Sequence, residues 1–481
     1  MTTLLVDGLP DKTLAFLAQI QSSSSDKKIT QSELQNVAFI VTLIDSLHAS
    51  VYATFLSRSY ARELATKLRV EELSASFTLD GVQWKWRRRR VGGDIEEVVA
   101  HHAIHADFDL KAQHQLSRIG TMVMQGGVAV EVGLRLLLSN RPEHRIERLY
   151  RHPPGRSFAV ALMAIGTSTI CFGGTLLDGV FAFLEGLVAG FLGMFCSEGF
   201  VACAVSCYSI LAVNNHPETT CFSSQIIGTL FWFYFGTAFI IALFELASGQ
   251  LRIGLARLFF AMVDSFRHAV GIAVAIVAGV KLLGDDVNVL LLRDCHEMEA
   301  HSGGARLSLW GTQMHIPLFF ILCVAVNSQL RVDIRDWPLC VVVQSITMVA
   351  LTIGESLGQG DFVSNFIPSF LAAFSSLALL RLMGGSGGQS AVSNLAYDRR
   401  DAWFCIFPSL YLLIPGSGLV KACLFSIAGL FGFADAIPPG FAFALLRIGL
   451  GQVLGIGLGL VSFRIICRRR AGTGDNRILP A

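Results

Sequence analysis

Two carboxylates stand in an otherwise apolar stretch, CFGGTLLDGVFAFLEGLVAG at 171–190: Asp178 and Glu185. Seven residues apart, they share one face of a helix, two turns from each other. A charged side chain at a bilayer centre costs about 2.5–3.5 kcal/mol on insertion scales, so one that is kept there has a task or a partner. The chemistry open to such a group is proton exchange or the holding of a cationic group. Asp178 follows Gly173-Gly174, and as a helix-start acid it is also favoured by the helix dipole, so both readings stand. Glu185 lies two turns deeper, roughly 10 Å at 1.5 Å per residue, and is the residue expected to couple protons or substrate.

Further polar groups stand in apolar runs. Glu245 and Arg257 flank ASGQ, and Arg257, Asp264 and His268 fall near one helix face by steps of seven and four. Asp264 is spaced to bond either His268 or Arg267, and a histidine beside a carboxylate suits a proton relay. A self-satisfied polar cluster between helices is the equal alternative. Pro415-Gly416 interrupts an apolar run in IPGSG. Proline frees a carbonyl one turn back and glycine admits a close neighbour, so this break is either a substrate site or an ordinary kink. Lys421, six residues on, either meets a substrate carboxylate or snorkels to the surface. Asn327, Gln344 and Asn365 are expected to hydrogen-bond between helices.

Other patterns carry less. HHAIHADFD (101–109) has ligand-type residues but no closed zinc spacing, so no metal is expected. GQGD (358–361) has the letters of an intramembrane aspartyl protease without that enzyme's other motifs, and no GxxxxGK[ST] is present to argue for ATP hydrolysis. No enzyme activity and no cofactor are expected. Most of the eleven cysteines lie in or beside apolar runs without CxxC spacing and read as small buried hydrophobes.

The elements that must position these groups follow from composition. The chain has 481 residues, only 15% charged, with a mean hydropathy of +0.56. Soluble chains average about 25% charge, so the deficit points to a membrane. Charges are ordinary up to residue 155, and long apolar runs follow. Ten candidate spans result: about 157–173, 175–195, 198–213, 221–246, 257–281, 315–330, 337–354, 362–380, 403–430 and 439–463. With a cytoplasmic N-terminus, Arg252, Arg257, Arg331, Arg335, Arg381, Arg399, Arg400, Arg464 and Arg468–Arg470 fall inside, while the outer loops 355–361 and 431–438 carry no Lys or Arg and the outer segment 282–314 carries only Arg293 and Arg306, with Lys281 at its edge. Both ends are then cytoplasmic. The expected domains are a mainly helical region at 1–155, a five-helix module at 156–281, a polar connection at 282–314, a second five-helix module at 315–467 and a basic tail at 468–481. Two odd-numbered modules imply an inverted repeat. Phe235-Gly236 and Pro415-Gly416 lie 180 apart, and GIAVA (271–275) and GIGLG (455–459) lie 184 apart. In the N-terminal region, SASFTLDGVQWKW reads as a hairpin about Asp80-Gly81. The following Arg87–Arg90 reads as a solvated basic turn facing the cytoplasmic leaflet, with binding of lipid phosphates or nucleic acid as its alternative.

DFDLKAQHQLSRIGTMVMQGGVAVEVGLRLLLSN, the link RHPPGRS, the FGG…D turn at Phe172-Gly173-Gly174 and Asp178, ELASGQLRIGLARL (245–258), IPSFLAAFSSLALLRL and LYLLIPGSGLVKACLF occur in this order. The pattern resembles the threonine/serine exporter family in its fused two-module form, over roughly residues 45–465. The chain departs from that pattern at Phe235, where the family has proline, at Phe244, where it has arginine, and at Gln250, where it has aspartate. The resemblance implies an all-α polytopic membrane protein of about ten helices that exports small neutral amino acids such as threonine or serine, driven by protons. The partners implied are the amino acid, protons and the lipid bilayer, with no nucleic acid; a homo-oligomer and the choice between plasma and internal membrane stay open. The alternatives are a membrane-anchored interaction protein using its N-terminal domain, or a channel for small solutes.

Overall fold

A computed structural model describes residues 9–23, 29–50, 54–70, 72–78, 80–89, 95–104, 109–139, 152–217, 219–283, 309–358, 360–385, 402–413 and 441–470. The N-terminal part opens with α1 (Asp11–Ser23), α2 (Gln31–Ala49) and α3 (Thr54–Lys67). Thr30 starts α2 with a capping box, its hydroxyl receiving the Glu33 N–H while the Glu33 carboxylate receives that of Thr30. Three antiparallel strands follow, β1 (Leu73–Phe77), β2 (Gly81–Arg89) and β3 (Ile95–Ala103), in the order β1-β2-β3. The expected hairpin forms, with Phe77 opposite Val82. A third strand joins this hairpin, with His102 turned to the core and His101 to the exposed face. Helices α4 (Leu110–Met124) and α5 (Val130–Leu138) close this part.

Its core is a separate apolar cluster built on Phe39, Ile40, Leu43, Ile44, Tyr60, Leu64, Val82 and Trp84. Asp45 on α2 ties helix to sheet: it accepts from Trp84 Nε1 at 2.9 Å and pairs with His102 Nδ1 at 2.6 Å. His101 points to the exposed face of the same strand. The arginine run corrects the expectation of a free basic turn. Arg87 lies on β2 opposite Glu97, with its Nε 3.2 Å from that carboxylate, and Arg88 stands opposite Glu96. Glu97 thus offsets the charge of Lys85 and Arg87 across the strand pair, and Arg90 lies outside the described residues.

The remainder is helical: α6 (Pro153–Gly166) continuing into a π-helical segment Thr167–Cys171, α7 (Leu176–Leu192), α8 (Glu198–Asn215), α9 (Phe222–Leu230), α10 (Gly236–Ala247), α11 (Leu251–Leu283), α12 (Leu309–Gln329), α13 (Trp337–Ser356), α14 (Asp361–Gly385), α15 (Trp403–Tyr411) and α16 (Phe441–Arg470). These occupy the apolar runs read from the sequence. Among the described residues four helices are long and apolar enough to cross a membrane, Leu251–Leu283, Ile334–Gly354, Asp361–Leu382 and Leu445–Phe463, and a fifth crossing results if α9 and α10, bent by 62° at their break, count as one.

The helix faces are arranged as lipid contact requires. On α7 the exposed side chains are Leu176, Val180, Leu184, Val188 and Phe191, while Asp178, Ala182, Glu185, Gly186 and Gly190 are buried. Large apolar groups turn outward, and small or polar ones turn in. The same division holds on α11, with Leu255, Phe259, Phe266 and Val274 outside and Gly254, Ala261, Ser265 and Gly271 inside. Close approach depends on glycine where α6 crosses α7: a Cβ on Gly186 would stand 2.6 Å from the Ala161 Cα.

Candidate functional site

Asp178 sits at the N-terminus of α7, and the structure shows why the sequence puts it there. Thr175 and Asp178 form a capping box, with the Thr175 N–H 2.8 Å and its hydroxyl 3.0 Å from Asp178 Oδ2. The other oxygen, Oδ1, accepts from the Cys221 N–H at 2.7 Å and from Gln225 Nε2 at 2.8 Å. Cys221 is the N-cap residue of α9. One buried carboxylate therefore serves two helix N-termini, where dipole and unpaired N–H groups favour an anion. The helix-start reading accounts for its contacts. Cys221 is itself disulfide-bonded, which corrects its reading as a simple buried hydrophobe.

Glu185, 2% exposed, lies on the same face and between the same helices. Its Oε1 accepts from Ser209 on α8 at 2.6 Å, and its Oε2 from Thr229 on α9 at 2.9 Å. No Lys, Arg or His among the described residues lies within ion-pair reach. Gln225 and Thr229 stand one turn apart on α9, so the two acids of α7 and these two groups form one polar seam. Hydroxyls both donate and accept, so this surrounding holds the carboxylate or the protonated acid without rearranging a charge. Ser209, Thr229 and Gln225 escaped sequence reading, because single Ser, Thr or Gln residues are common in membrane helices.

Glu245 and Arg257 face each other. The turn Ser248–Gln250, with Gly249 at φ +80°, folds α10 back along α11, and Gly254 lets Leu246 come close. That register sets Arg257 Nη1 3.3 Å from Glu245 Oε1. The same oxygen accepts from Thr54, through its hydroxyl at 2.6 Å and its N–H at 3.3 Å. Thr54 is the first residue of α3, so a carboxylate of the membrane part caps a helix of the N-terminal part. That part also touches the second half: the Leu110 and Lys111 N–H groups donate to the Leu330 and Arg331 carbonyls at 3.2 and 3.1 Å, and the His114 ring lies 4.5 Å from that of Phe404.

The expected face of Arg257, Asp264 and His268 is divided. Arg257 goes to Glu245. Asp264 pairs with Arg267, whose side chain is 64% exposed. His268 hydrogen-bonds the Asp264 carbonyl, at 3.0 Å from Nδ1, and among the described residues it forms no imidazole–carboxylate pair. The helix carries the Asp264 carboxylate toward Arg267 at i+3 while His268 turns inward. Pro415, Gly416 and Lys421 lie outside the described residues. Of the expected interhelical amides, Gln344 donates to the Pro408 carbonyl at 3.3 Å, and Asn365 accepts from Gln452 at 3.3 Å. Asn327 is fully buried with neither amide atom partnered among the described residues, so it does not tie helices together. Among the described residues no group of three or more metal-ligating side chains occurs.

The break between α9 and α10 gathers further groups. Phe231–Phe233 form a single 3-10 turn. Two of its carbonyls are met from the second half of the chain: Gln329 Nε2 donates to that of Trp232 at 2.6 Å, and Tyr411 Oη donates at 3.1 Å to that of Phe231, which also receives the Tyr234 N–H at 3.4 Å. His268 packs edge-on to Tyr234 and Phe235, 5.9 Å from each.

Apolar outer faces, an inward polar seam and a helix broken inside the bundle define an α-helical integral membrane protein. The family model described as "Putative threonine/serine exporter" matches residues 39–278, and the chain belongs to that family. The match runs from α2 into α11, so the N-terminal part belongs to the family's architecture along with the membrane helices. No significant match to a curated protein or to a solved structure is found.

Proposed function

We propose that the protein is a secondary transporter that exports small neutral amino acids of the threonine/serine type in exchange for protons, with Glu185 as the proton-coupling group. The observation that carries this is the placement of Glu185: a buried carboxyl on a membrane helix, held among the described residues by the Ser209 and Thr229 hydroxyls alone. An acid with no ion-pair partner gains or loses a proton without stranding an opposite charge.

The architecture we propose is ten spans in two inverted five-helix modules, with both termini cytoplasmic. Three features support it. The outward apolar faces extend to α7 and α8, which are too short or too polar to pass on length and hydropathy alone. Helix α9 ends at Leu230 and α15 at Tyr411, and the paired residues Phe231 and Tyr411 lie 180 apart, the same offset as Phe235-Gly236 and Pro415-Gly416. Gly271 on α11 approaches Gly199 on α8, and Gly455 on α16 approaches Phe366 on α14, as equivalent close crossings in two copies would. Alternating access then follows from rocking one module against the other.

The test is efflux of labelled serine and threonine from proteoliposomes under an imposed pH gradient. Glu185→Gln keeps the shape, its amide oxygen accepting from one of the two hydroxyls and its NH2 donating to the other. It is expected to abolish pH-driven efflux while protein yield and amino-acid exchange at equal pH persist. Undiminished pH-driven efflux by this variant rules out the coupling role.

A further inference from the structure

Helix α10 begins without a cap. Phe235 occupies its N-cap position and supplies no side-chain acceptor, and Gly236 at the first position is buried. Among the described residues the N–H groups of Gly236 to Ala238 therefore have neither an intrahelical partner nor a capping side chain, with Gly236 buried and Thr237 and Ala238 half-buried. By contrast, Asp178 caps both α7 and α9 nearby. An uncapped helix start inside a membrane protein is an anion site by electrostatics, but geometry alone does not say that anything binds.

Side chains around it supply the second observation. Tyr234, next to the cap, is 7% exposed, and its hydroxyl has no partner among the described residues. His268 is 1% exposed and lies 5.9 Å from the ring of Phe235. Its Nδ1 faces the Asp264 carbonyl at 3.0 Å, which accepts only, so Nδ1 carries the proton in the neutral ring and Nε2 presents a lone pair. That Nε2 is likewise unpartnered. Gln329 spends its amide N–H on the Trp232 carbonyl and leaves Oε1 buried and unpartnered. The break thus holds unused donors, the three amides and the Tyr234 hydroxyl, beside unused acceptors, His268 Nε2 and Gln329 Oε1. Buried polar groups without partners are rare and costly in a protein that has no use for them.

We infer that the break between α9 and α10 is the substrate site and that it recognises a zwitterion: the α-carboxylate is received by the amides of Gly236–Ala238 and the Tyr234 hydroxyl, and the α-ammonium by His268 Nε2 and Gln329 Oε1. This rests on the export reading for its substrate class, and it assigns the two charged ends of that substrate. The aromatic rings of Phe231, Tyr234 and Phe235 beside it offer no charge to pair with a charged side group.

The test uses the full chain in proteoliposomes. Counterflow of labelled threonine is challenged with threonine, with threoninol, which lacks the carboxylate, and with N-acetylthreonine, which lacks the ammonium. Only unlabelled threonine is expected to compete. Tyr234→Phe removes one hydroxyl with little change of shape, and Phe235→Asn places a capping side chain over the amides themselves. Both are expected to raise the KM for threonine about tenfold or more, the loss of one hydrogen bond to a charged group. Their heat resistance should equal or exceed the wild type's, because Tyr234→Phe removes an unpartnered polar atom and Phe235→Asn adds a cap. Wild-type KM in both variants, or equal competition by threoninol, overturns the inference. Should the wild type show no amino-acid counterflow, the export reading falls, and thermal shift decides the site separately. Stabilisation of wild type but not Phe235→Asn by threonine upholds the site, and no stabilisation of either refutes it.

Discussion

The contact among Glu245, Arg257 and Thr54 permits a quantitative prediction. Glu245 is fully buried, and the Arg257 side chain is 12% exposed. At their 3.3 Å separation the attraction is about 5 kcal/mol for an effective dielectric of ~20. Desolvation of two ions costs several kcal/mol each, so the intact pair contributes little net stability. Removing one partner is different, because it strands the other. Glu245→Leu and Arg257→Leu are each expected to destabilise the junction by about 3–5 kcal/mol, whereas the double variant regains most of that loss. Thr54→Val, which removes the 2.6 Å hydroxyl bond to a charged acceptor, should cost about 1.5–3 kcal/mol. The readout is amide hydrogen exchange of Thr54–Lys67 in the purified full chain, because Glu245 receives the first N–H of that helix. Faster exchange in both single variants and restored protection in the double variant is the expected pattern. Additive single effects, or exchange in this helix that ignores Glu245, would refute the claim that a membrane-helix carboxylate holds the N-terminal part in place.

Two further predictions concern the soluble-looking core and the helix crossings. Burial, with Arg257 nearby opposing a second positive charge, brings His48 from 6.5 down to about 4. Its folded-state value lies below the unfolded one, so its stabilising contribution is complete above pH 6.5 and is lost as pH falls from there through about 4. The loss approaches roughly 3 kcal/mol at 1.36 kcal/mol per unit, and protection of the α2 amides should fall over that window in wild type but stay flatter in His48→Leu. Gly186→Ile places a branched side chain where a Cβ already meets the Ala161 backbone at 2.6 Å, so α6 and α7 should separate, with loss of the monodisperse peak on size exclusion.

How far the sequence discloses this protein differs by level. Helix positions were legible because apolar runs of membrane length leave few other structures open to the backbone. The pairing of Asp178 with a helix start was legible from Gly-Gly-Thr followed by the acid. The Glu245–Arg257 contact was within reach, because Ser248-Gly249 marks a helical hairpin whose register opposes the two. The division of Arg257, Asp264 and His268 was not. Steps of seven and four put them on a common side of a helix, but on α11 that side is shared between α10, the outer surface and the break, and one-dimensional spacing does not separate those neighbours. The break within the expected span 221–246 carries no such mark in the sequence, because Phe235 stands where a proline would announce an interrupted helix. Here the interruption is held from outside, by Gln329 and Tyr411 accepting the role of partners to the freed carbonyls.

That last point bears on how the two halves work together. A helix interrupted by proline stays interrupted whatever surrounds it. One interrupted between Leu230 and Gly236 without proline depends on partners that satisfy its carbonyls, and both partners lie in the other half of the chain. A relative movement of the halves that withdrew Gln329 and Tyr411 would leave the Trp232 carbonyl unpaired and the Phe231 carbonyl with the Tyr234 N–H alone, and the nearest remedy is the ordinary helical bond to amides one turn on. Those amides include the ones at the start of α10 that the proposed substrate carboxylate would occupy. Interhelical movement and the availability of the site are thereby linked through the same few backbone groups. The N-terminal part touches both halves, through Thr54 on Glu245 and through Leu110 and Lys111 on Leu330 and Arg331, so it is placed to set their separation.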